Sequence, residues 1–223
     1  MDRKKYIFLS HVLNENTPTY ANRDFFKINE KSSILKGKTA NSSEWIFSVN
    51  HIGTHIDVPK HFYDDALTIT DFSSEFWRFS KIGFIEVKCD EHIIISDENL
   101  FENISRDIEL LLIKTGYENY RGANKYWEDN PGLAPELADF FREKFPKLRA
   151  IGFDFISLTA LKNREIGKKA HLEFLNPKFP ILIIEDMSLQ KLTQLTSINQ
   201  VIALPLYVSN SDGSPITILA EIE

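Results

Sequence analysis

The segment from His51 to His61 constrains the fold more than any other part of the chain. Four groups capable of metal binding or proton transfer stand at odd-numbered positions within it: His51, His55, Asp57 and His61. In extended backbone, alternate side chains point to the same side, so these four groups are expected to share one face. The apolar residues between them, Ile52, Ile56 and Val58, would then point into a core.

Neither a helix nor a straight strand can bring the four groups together. Gly53 and Pro59 would interrupt a helix. In a straight strand, six residues at about 3.3 Å each would place His51 and Asp57 about 20 Å apart, too far for two ligands of one metal ion. Gly53 can bend without steric cost, so we predict a strand end that curls around a metal there, with Pro59 fixing the backbone before His61.

Two more candidate ligands lie far downstream. One ion needs three or four protein ligands and a two-metal site about five or six. His171 stands near the end of a predicted helix, and Glu185 follows the apolar run 181–184, where an unpaired carboxylate would be costly. A metal or a buried helix-to-strand salt bridge would satisfy both. His11 and His92 have no acidic or histidine companion at ligand spacing, and we interpret them as structural.

The composition excludes several classes of protein. The chain has 223 residues with 43% hydrophobic residues, which suits one domain over residues 1–223. Its formal charge of −6 argues against a general nucleic-acid binder. No apolar run is long enough for a membrane span. With Cys89 as its single cysteine the chain can form no internal disulfide, which fits a reducing compartment, and we expect a cytoplasmic protein.

Hydrophobic patterning predicts more strands than helices. Strands are expected at residues 6–10, 44–51, 82–88, 109–115, 150–155 and 181–184, and a terminal hairpin at 200–208 and 216–222. Helices are expected at 135–145 and 168–175, with a short one from Ser96. Residues 14–43 are interpreted as a long loop, and 162–169 as a solvated loop rather than an anion site. The fold class indicated is mixed α/β, built around a barrel-like sheet.

The motif His51-x-Gly53-Thr54-His55-x-Asp57-x-Pro59-x-His61 resembles the signature of the cyclase family, which includes bacterial kynurenine formamidases and isatin hydrolases. Similar segments follow in family order: Leu9-Ser10-His11 with Pro18-x-Tyr20, Leu112 to Tyr117, Pro131-Gly132-Leu133, Ile151 to Ser157, Ala203-Leu204-Pro205 and Asp212 to Pro215. The resemblance therefore extends over most of the chain.

The resemblance implies a swivelling β/β/α domain, assembled as a homodimer or homotetramer, with two divalent ions per chain, zinc or manganese. Its implied ligands are His51, His55 and Asp57 for the first ion, and Asp57, His171 and Glu185 for the second. His61 would transfer protons, and Tyr20 would contact substrate. The family's gap between the last two ligands is about two residues shorter than here, so Glu173 is the alternative if the alignment shifts.

These features predict an enzyme that hydrolyses a C–N amide bond in a small molecule, such as the aryl formamide N-formylkynurenine or a cyclic amide. A metal-activated water would attack the carbonyl, and His61 would carry the proton. Two alternatives stay open. Some members of the family are implicated in cyclisation or dehydration in natural-product pathways, and a metal site can also serve stability alone.

Overall fold

The strands of this protein outnumber its helices, and most of them are short. In the computed structural model, which describes residues 5–89 and 91–223, the strands are β1 Lys5–Phe8, β2 Phe26–Ser32, β3 Ser42–Phe47, β4 His55–Asp57, β5 Arg78–Phe79, β6 Ile82–Glu86, β7 Ile94–Ile95, β8 Leu110–Lys114, β9 Gly132–Leu133, β10 Ala150–Phe153, β11 Leu182–Glu185, β12 Ile198–Pro205 and β13 Gly213–Ile222. The α-helices are α1 Lys125–Glu128, α2 Glu136–Lys144 and α3 Arg164–Phe174. Short 3-10 helices cover Tyr20–Asn22, Ile34–Lys36, Pro59–His61, Ile69–Asp71, Ser74–Trp77, Glu98–Phe101, Tyr117–Tyr120 and Leu161–Asn163.

One curved sheet dominates the fold, with strand order β5-β12-β13-β4-β11-β10-β8-β6 and β1 paired to β13. The strands β6, β8, β10 and β11 run parallel, and the other pairs are antiparallel. The two end strands, β5 and β6, are separated in the chain only by residues 80–81, so the sheet curls until its ends approach each other. The predicted fold class, mixed α/β around a barrel-like sheet, is confirmed.

The parallel strands are the most deeply buried part of the chain. Ile151, Ile183 and Ile184 have 0% exposure, as expected for parallel strands covered on both faces. Such strands need crossover connections, and α2 and α3 supply two of them. Helix α2 begins at Glu136, one residue after the predicted start, with Pro135 at its N-cap, and it buries Leu137, Ala138 and Phe141.

Strand β4 occupies the centre of the sheet although it has only three residues. It lies between β11 and β13, antiparallel to both. His55 is paired with Glu185 of β11, and Asp57 is paired with Gly213 of β13. The predicted core face is present, because Ile52, Ile56 and Val58 are at most 1% exposed.

Two segments differ from the sequence interpretation. Residues 14–43 are not a plain loop, since they contain β2, which pairs with β3 in a separate two-stranded sheet. The residues of β2 and β3 are mostly exposed on both faces, so they carry no apolar alternation by which the hairpin could be recognised. The predicted strand at 44–51 is correspondingly displaced to Ser42–Phe47.

Residues 162–169 are mostly exposed, as expected, but the prediction that they form a loop is wrong. Helix α3 begins at Arg164, four residues before the predicted start. Gly167 lowers the helical propensity of this stretch. A Cβ at Gly167 would lie only 2.3 Å from Thr159 Oγ1, so the glycine is needed for close packing inside a genuine helix. In the described part of the chain, no helix has the length and apolarity to cross a lipid bilayer.

Candidate metal centre

The motif segment bends where the sequence predicts it. Gly53 has φ +63°, a left-handed conformation that favours glycine. Two residues later the backbone enters β4, and Pro59 then opens the 3-10 helix that ends at His61. Because of these two changes of direction, the side chains of His51, His55, Asp57 and His61 line one cavity of about 450 Å³. The four odd-numbered residues predicted to share one face therefore do line the same cavity.

Four buried side chains converge at the floor of this cavity. His55 Nε2 lies 3.3 Å from Glu185 Oε2 and 3.5 Å from Asp57 Oδ1. His171 Nε2 lies 3.6 Å from Asp57 Oδ2 and 3.6 Å from Glu185 Oε1. Most of these distances are long for hydrogen bonds. They match the spacing of about 3.3 Å expected between two ligands that bind one tetrahedral ion through bonds of about 2 Å.

The backbone selects which nitrogen of each histidine faces the carboxylates. His55 Nδ1 donates to the Gly53 carbonyl oxygen at 2.8 Å, and His171 Nδ1 donates to the Gly167 carbonyl oxygen at 2.9 Å. Nε2 of each ring is therefore left for the cavity floor, as in histidines that bind metals. Two buried carboxylates beside two oriented imidazoles form a set of donors that fits a divalent cation.

A second cluster of side chains shares Asp57 with the first. His51 Nδ1 lies 2.7 Å from Asp57 Oδ1, and His51 Nε2 lies 2.9 Å from Asp212 Oδ2. His61 Nδ1 lies 3.1 Å from the same Asp212 oxygen. Ligand atoms of His51, Asp57 and His61 lie close enough to hold one ion, and those of His55, Asp57 and Glu185 to hold another. This grouping differs from the one that the resemblance implies, because His55 joins Glu185 rather than His51.

Asp212 is the site residue that sequence reasoning missed. It stands immediately before β13 in the connection from β12, and Asn50 Nδ2 donates to its Oδ1 at 2.7 Å. The sequence places an aspartate before a glycine in the terminal hairpin, which is an ordinary turn pattern. Only the pairing of β13 with β4 shows that this turn meets His51 and His61.

The charges in the site compensate one another. Burial lowers the pKa of His51, but the adjacent carboxylates of Asp57 and Asp212 outweigh it and raise the pKa to about 10. Burial likewise opposes protonation of His171, whereas Asp57 and Glu185 raise its pKa to about 9. For Asp57, burial alone would raise the pKa, yet the neighbouring imidazoles hold it well below its usual value. The buried carboxylates are therefore stabilised by nearby positive charge, either protonated imidazoles or a bound cation.

Glu185 is fixed by backbone and side-chain donors. The Leu158 N–H donates to its Oε1 at 2.7 Å, and the Ser157 hydroxyl donates to the same oxygen at 3.3 Å. The next residue, Asp186, has φ +52° and accepts hydrogen bonds from the Arg121 guanidinium and the Tyr126 hydroxyl. The chain is thus anchored immediately after the end of β11.

Of the remaining residues considered in the sequence, one lines the cavity and three lie outside it. Tyr20 lines the cavity. Glu173, the alternative ligand, is exposed on α3, and Glu185 occupies the position beside His55. His11 lies behind the site, with Nε2 4.0 Å from Asp186 Oδ1. His92 lies elsewhere, 3.4 Å from Asp129 Oδ1.

Comparisons with known proteins identify the family and the fold of this chain. The Cyclase family, described as "Putative cyclase", matches residues 7–160. The kynurenine formamidase of Bacillus anthracis is 29% identical over 216 residues, which cover 97% of each chain. Isatin hydrolase A from Labrenzia aggregata, solved with benzyl benzoate, superposes with a TM-score of 0.82 at 21% identity, over 98% of this chain and 93% of that one.

A solved structure described as a potential metal-dependent hydrolase with cyclase activity superposes with a TM-score of 0.74 at 18% identity, over 98% of each chain. At these identities the structural matches establish the fold. The family match spans more than half of the chain and includes the complete histidine motif. On that evidence the chain belongs to the Cyclase family.

Proposed function

We propose that this protein is a metal-dependent hydrolase that cleaves the C–N amide bond of a small molecule, either an aryl formamide such as N-formylkynurenine or a cyclic amide. The observation that carries the proposal is the convergence of two imidazoles and two carboxylates at 3.3 to 3.6 Å on the floor of a cavity. Similarity to kynurenine formamidases over 97% of the chain supports the type of bond.

We further propose that the site holds two divalent ions, zinc or manganese, which share Asp57. The two candidate groups of ligand atoms that line this cavity both include Asp57, and His171 Nε2 lies 3.6 Å from its Oδ2. Imidazole and carboxylate ligands suit either metal. A bound divalent ion supplies two effects, a lowered pKa of a water molecule and polarisation of a carbonyl oxygen.

His61 is the residue suited to proton transfer. Its Nδ1 is held by Asp212, which orients the ring and leaves Nε2 for the cavity that His61 lines. In the proposed reaction the water oxygen bonds to the carbonyl carbon and the C–N bond breaks. His61 accepts the proton from water and delivers it to the leaving nitrogen, so the products are a carboxylic acid and an amine.

Apolar and aromatic side chains shape the space above the ions. The Phe62 ring stacks on His171 with centroids 4.8 Å apart and an interplanar angle of 17°. Tyr20 and Ile156 line the same cavity. We propose that these surfaces hold the flat body of the substrate, with Tyr20 in contact with it. We also propose that the protein is a cytoplasmic homodimer or homotetramer, as the sequence predicts.

Two variants test the mechanism. Asp57→Ala should lose bound metal, because Asp57 contacts every imidazole at the floor. His61→Ala should keep the metal that His55, Asp57 and Glu185 would hold, and lose about 10²- to 10⁴-fold in kcat, the range for a general acid–base residue. The measurements are elemental analysis and release of formate from N-formylkynurenine or opening of isatin. Glu173→Ala, which removes an exposed carboxylate of α3 that does not line the cavity, is the matched control. If both site variants kept full metal and activity, or the metal-loaded wild type hydrolysed no amide, the proposal would be wrong.

A further inference from the structure

Three basic side chains line the same cavity as the candidate metal ligands: Arg23, Arg164 and Lys168. Among residues 5–89 and 91–223, no carboxylate lies within 4.0 Å of their charged nitrogens. Some other bases of the described chain are paired: Arg121 contacts Asp186 at 2.8 Å, for example, and Lys125 contacts Glu91 at 2.6 Å. All three cavity residues are exposed, so the accessible part of the cavity lining presents cations that make no ion pair within the described chain.

Helix α3 explains how two of these charges reach the site. Arg164, Lys168 and His171 follow the spacing i, i+4, i+7, so they share one face of the helix. At about 1.5 Å per residue, Lys168 is about 4.5 Å and Arg164 about 10 Å from His171 along the axis. The helix thus presents a candidate metal ligand at one end of this face and two cations toward the other.

Arg23 approaches from a different element. It immediately follows the 3-10 helix Tyr20–Asn22, three residues after Tyr20 in the chain. Burial raises the pKa of the Tyr20 hydroxyl, while the nearby charges of Arg164 and Arg23 both act to lower it. Arg23 and Arg164 therefore come close to the same phenol from two parts of the fold.

The carboxylates around the cavity have other partners. Asp24 accepts a hydrogen bond from the Ser48 hydroxyl at 2.9 Å. Asp186 is bound by Arg121, while Asp57 and Glu185 face the histidines at the floor. A ligand that entered this space would meet candidate metal ligands at the floor, aromatic and apolar walls, and uncompensated cations near the top.

We propose that the substrate carries a carboxylate at the end remote from the scissile amide, and that Arg164 and Lys168, assisted by Arg23, bind it. This inference rests on the proposed amide hydrolase function and narrows its substrate class to anionic amides. Arginine suits such a group because its planar guanidinium donates two hydrogen bonds to a carboxylate. The three residues are then determinants of specificity rather than solvated surface charges.

The first test compares two substrates that differ only in charge. 4-Formamidobenzoate has a carboxylate at the opposite end of the ring from the formamide, and 4-formamidobenzamide has a neutral group of similar shape. Formate release gives kcat/KM for each. The wild type should prefer the anion by about 100-fold, because each of two charged contacts contributes about 10-fold. Arg164→Gln and Lys168→Gln should each reduce this ratio by about 10-fold, mainly through KM.

Lys169 provides the matched control, since it is the next residue on α3, is exposed and does not line the cavity. Lys169→Gln should keep the wild-type ratio. A preference that disappeared equally in Lys169→Gln would indicate a general effect of protein charge and would overturn the inference.

A binding measurement separates this inference from the proposed reaction. Calorimetric titration of the metal-loaded protein with 4-aminobenzoate and 4-aminobenzamide needs no turnover. Tighter binding of the anion that falls in the Arg164→Gln, Lys168→Gln double variant supports the inference. Equal binding, or a preference that survives in the double variant because the carboxylate binds the metal, would refute it. Hydrolysis of the neutral formamide without any preference would leave the proposed function intact.

Discussion

Asp57 is the residue on which the geometry of the site depends. Its Oδ1 contacts His51 Nδ1 at 2.7 Å and His55 Nε2 at 3.5 Å, while its Oδ2 faces His171 Nε2 at 3.6 Å. It is 1% exposed, so water cannot stabilise its charge. Glu185, a second carboxylate, is equally buried nearby. The pair is stable only with protons on the imidazoles or with metal ions between the groups.

Competition between protons and metal leads to a pH-dependent prediction. In metal-free protein the pKa of His51 is about 10 and that of His171 about 9, so both imidazoles are protonated at pH 7. A histidine binds metal only when its ligating nitrogen carries no proton. Metal binding should therefore release protons, and affinity should rise as the pH increases from about 6 to 9.

Calorimetry in two buffers of different ionisation enthalpy measures the released protons directly, and we expect at least about one per chain at pH 7. The folding stability of the metal-free protein changes with pH in the opposite direction to its metal affinity. Because the folded pKa values exceed 6.5, the stabilisation from these histidines is complete below about pH 6.5 and is lost as the pH rises through 9 to 10. Metal affinity that did not change between pH 6 and 9 would contradict the assignment of these imidazoles as ligands.

At the scale of elements, the close approach of β13 to β4 holds His51 in place. A Cβ at Gly213 would lie 2.4 Å from His51 Cε1 and 2.8 Å from the Ile56 carbonyl oxygen. The Ile56 oxygen is backbone and cannot move without disturbing the strand pair. We predict that Gly213→Ala displaces the His51 ring and weakens metal binding by about 10-fold or more, with a loss of about 1–3 kcal/mol in the free energy of unfolding.

Gly122→Ala is the control for this prediction, because a Cβ at Gly122 meets no atom within 4 Å. Denaturant unfolding and metal titration of the two variants give the comparison. If Gly213→Ala bound metal as tightly as Gly122→Ala and the wild type, the tight contact at His51 would have no role in the site.

The elements that the sequence predicted best are those with a strong local signal. The helix at 135–145 has an apolar stripe and a leading proline, and the motif bend has a glycine where a left-handed residue is required. Asp212 gave no such signal, because its contact with His61 depends on the pairing of strands distant in sequence. The cations of α3 could not be placed for a similar reason. Their common face with His171 becomes visible only once the helix is known to begin at Arg164.

At the scale of the whole molecule, the site is assembled from parts of the chain that are far apart. The motif supplies candidate ligands from β4 and its flanks, α3 supplies the candidate ligand His171, and β11 supplies the candidate ligand Glu185. The connection to β13 supplies Asp212, which contacts His51 and His61. The strand order places β4 between β11 and β13, so these groups meet only when the central sheet has formed. The apolar core is extensive, and its residues in β4 and beside it, Ile56 and Val58, alternate with His55 and Asp57 and point to the opposite face of the strand.

This separation of core and site predicts the response to metal removal. A chelator should abolish hydrolysis while the protein stays folded, because the buried apolar core does not depend on the ions. Metal at about 100 times its Kd stabilises a fold by about 2.7 kcal/mol. For a chain of this size that corresponds to a fall in Tm of about 5–10 °C on chelation.

Thermal scans and far-ultraviolet circular dichroism, with and without chelator, measure the change in Tm and the retention of the fold. Activity should return when zinc or manganese is added. Asp57→Ala should show no shift, since it binds no metal in either condition. Unfolding at 25 °C upon chelation would instead indicate a metal that serves stability alone, and a wild-type Tm unchanged by chelator would argue against any bound metal.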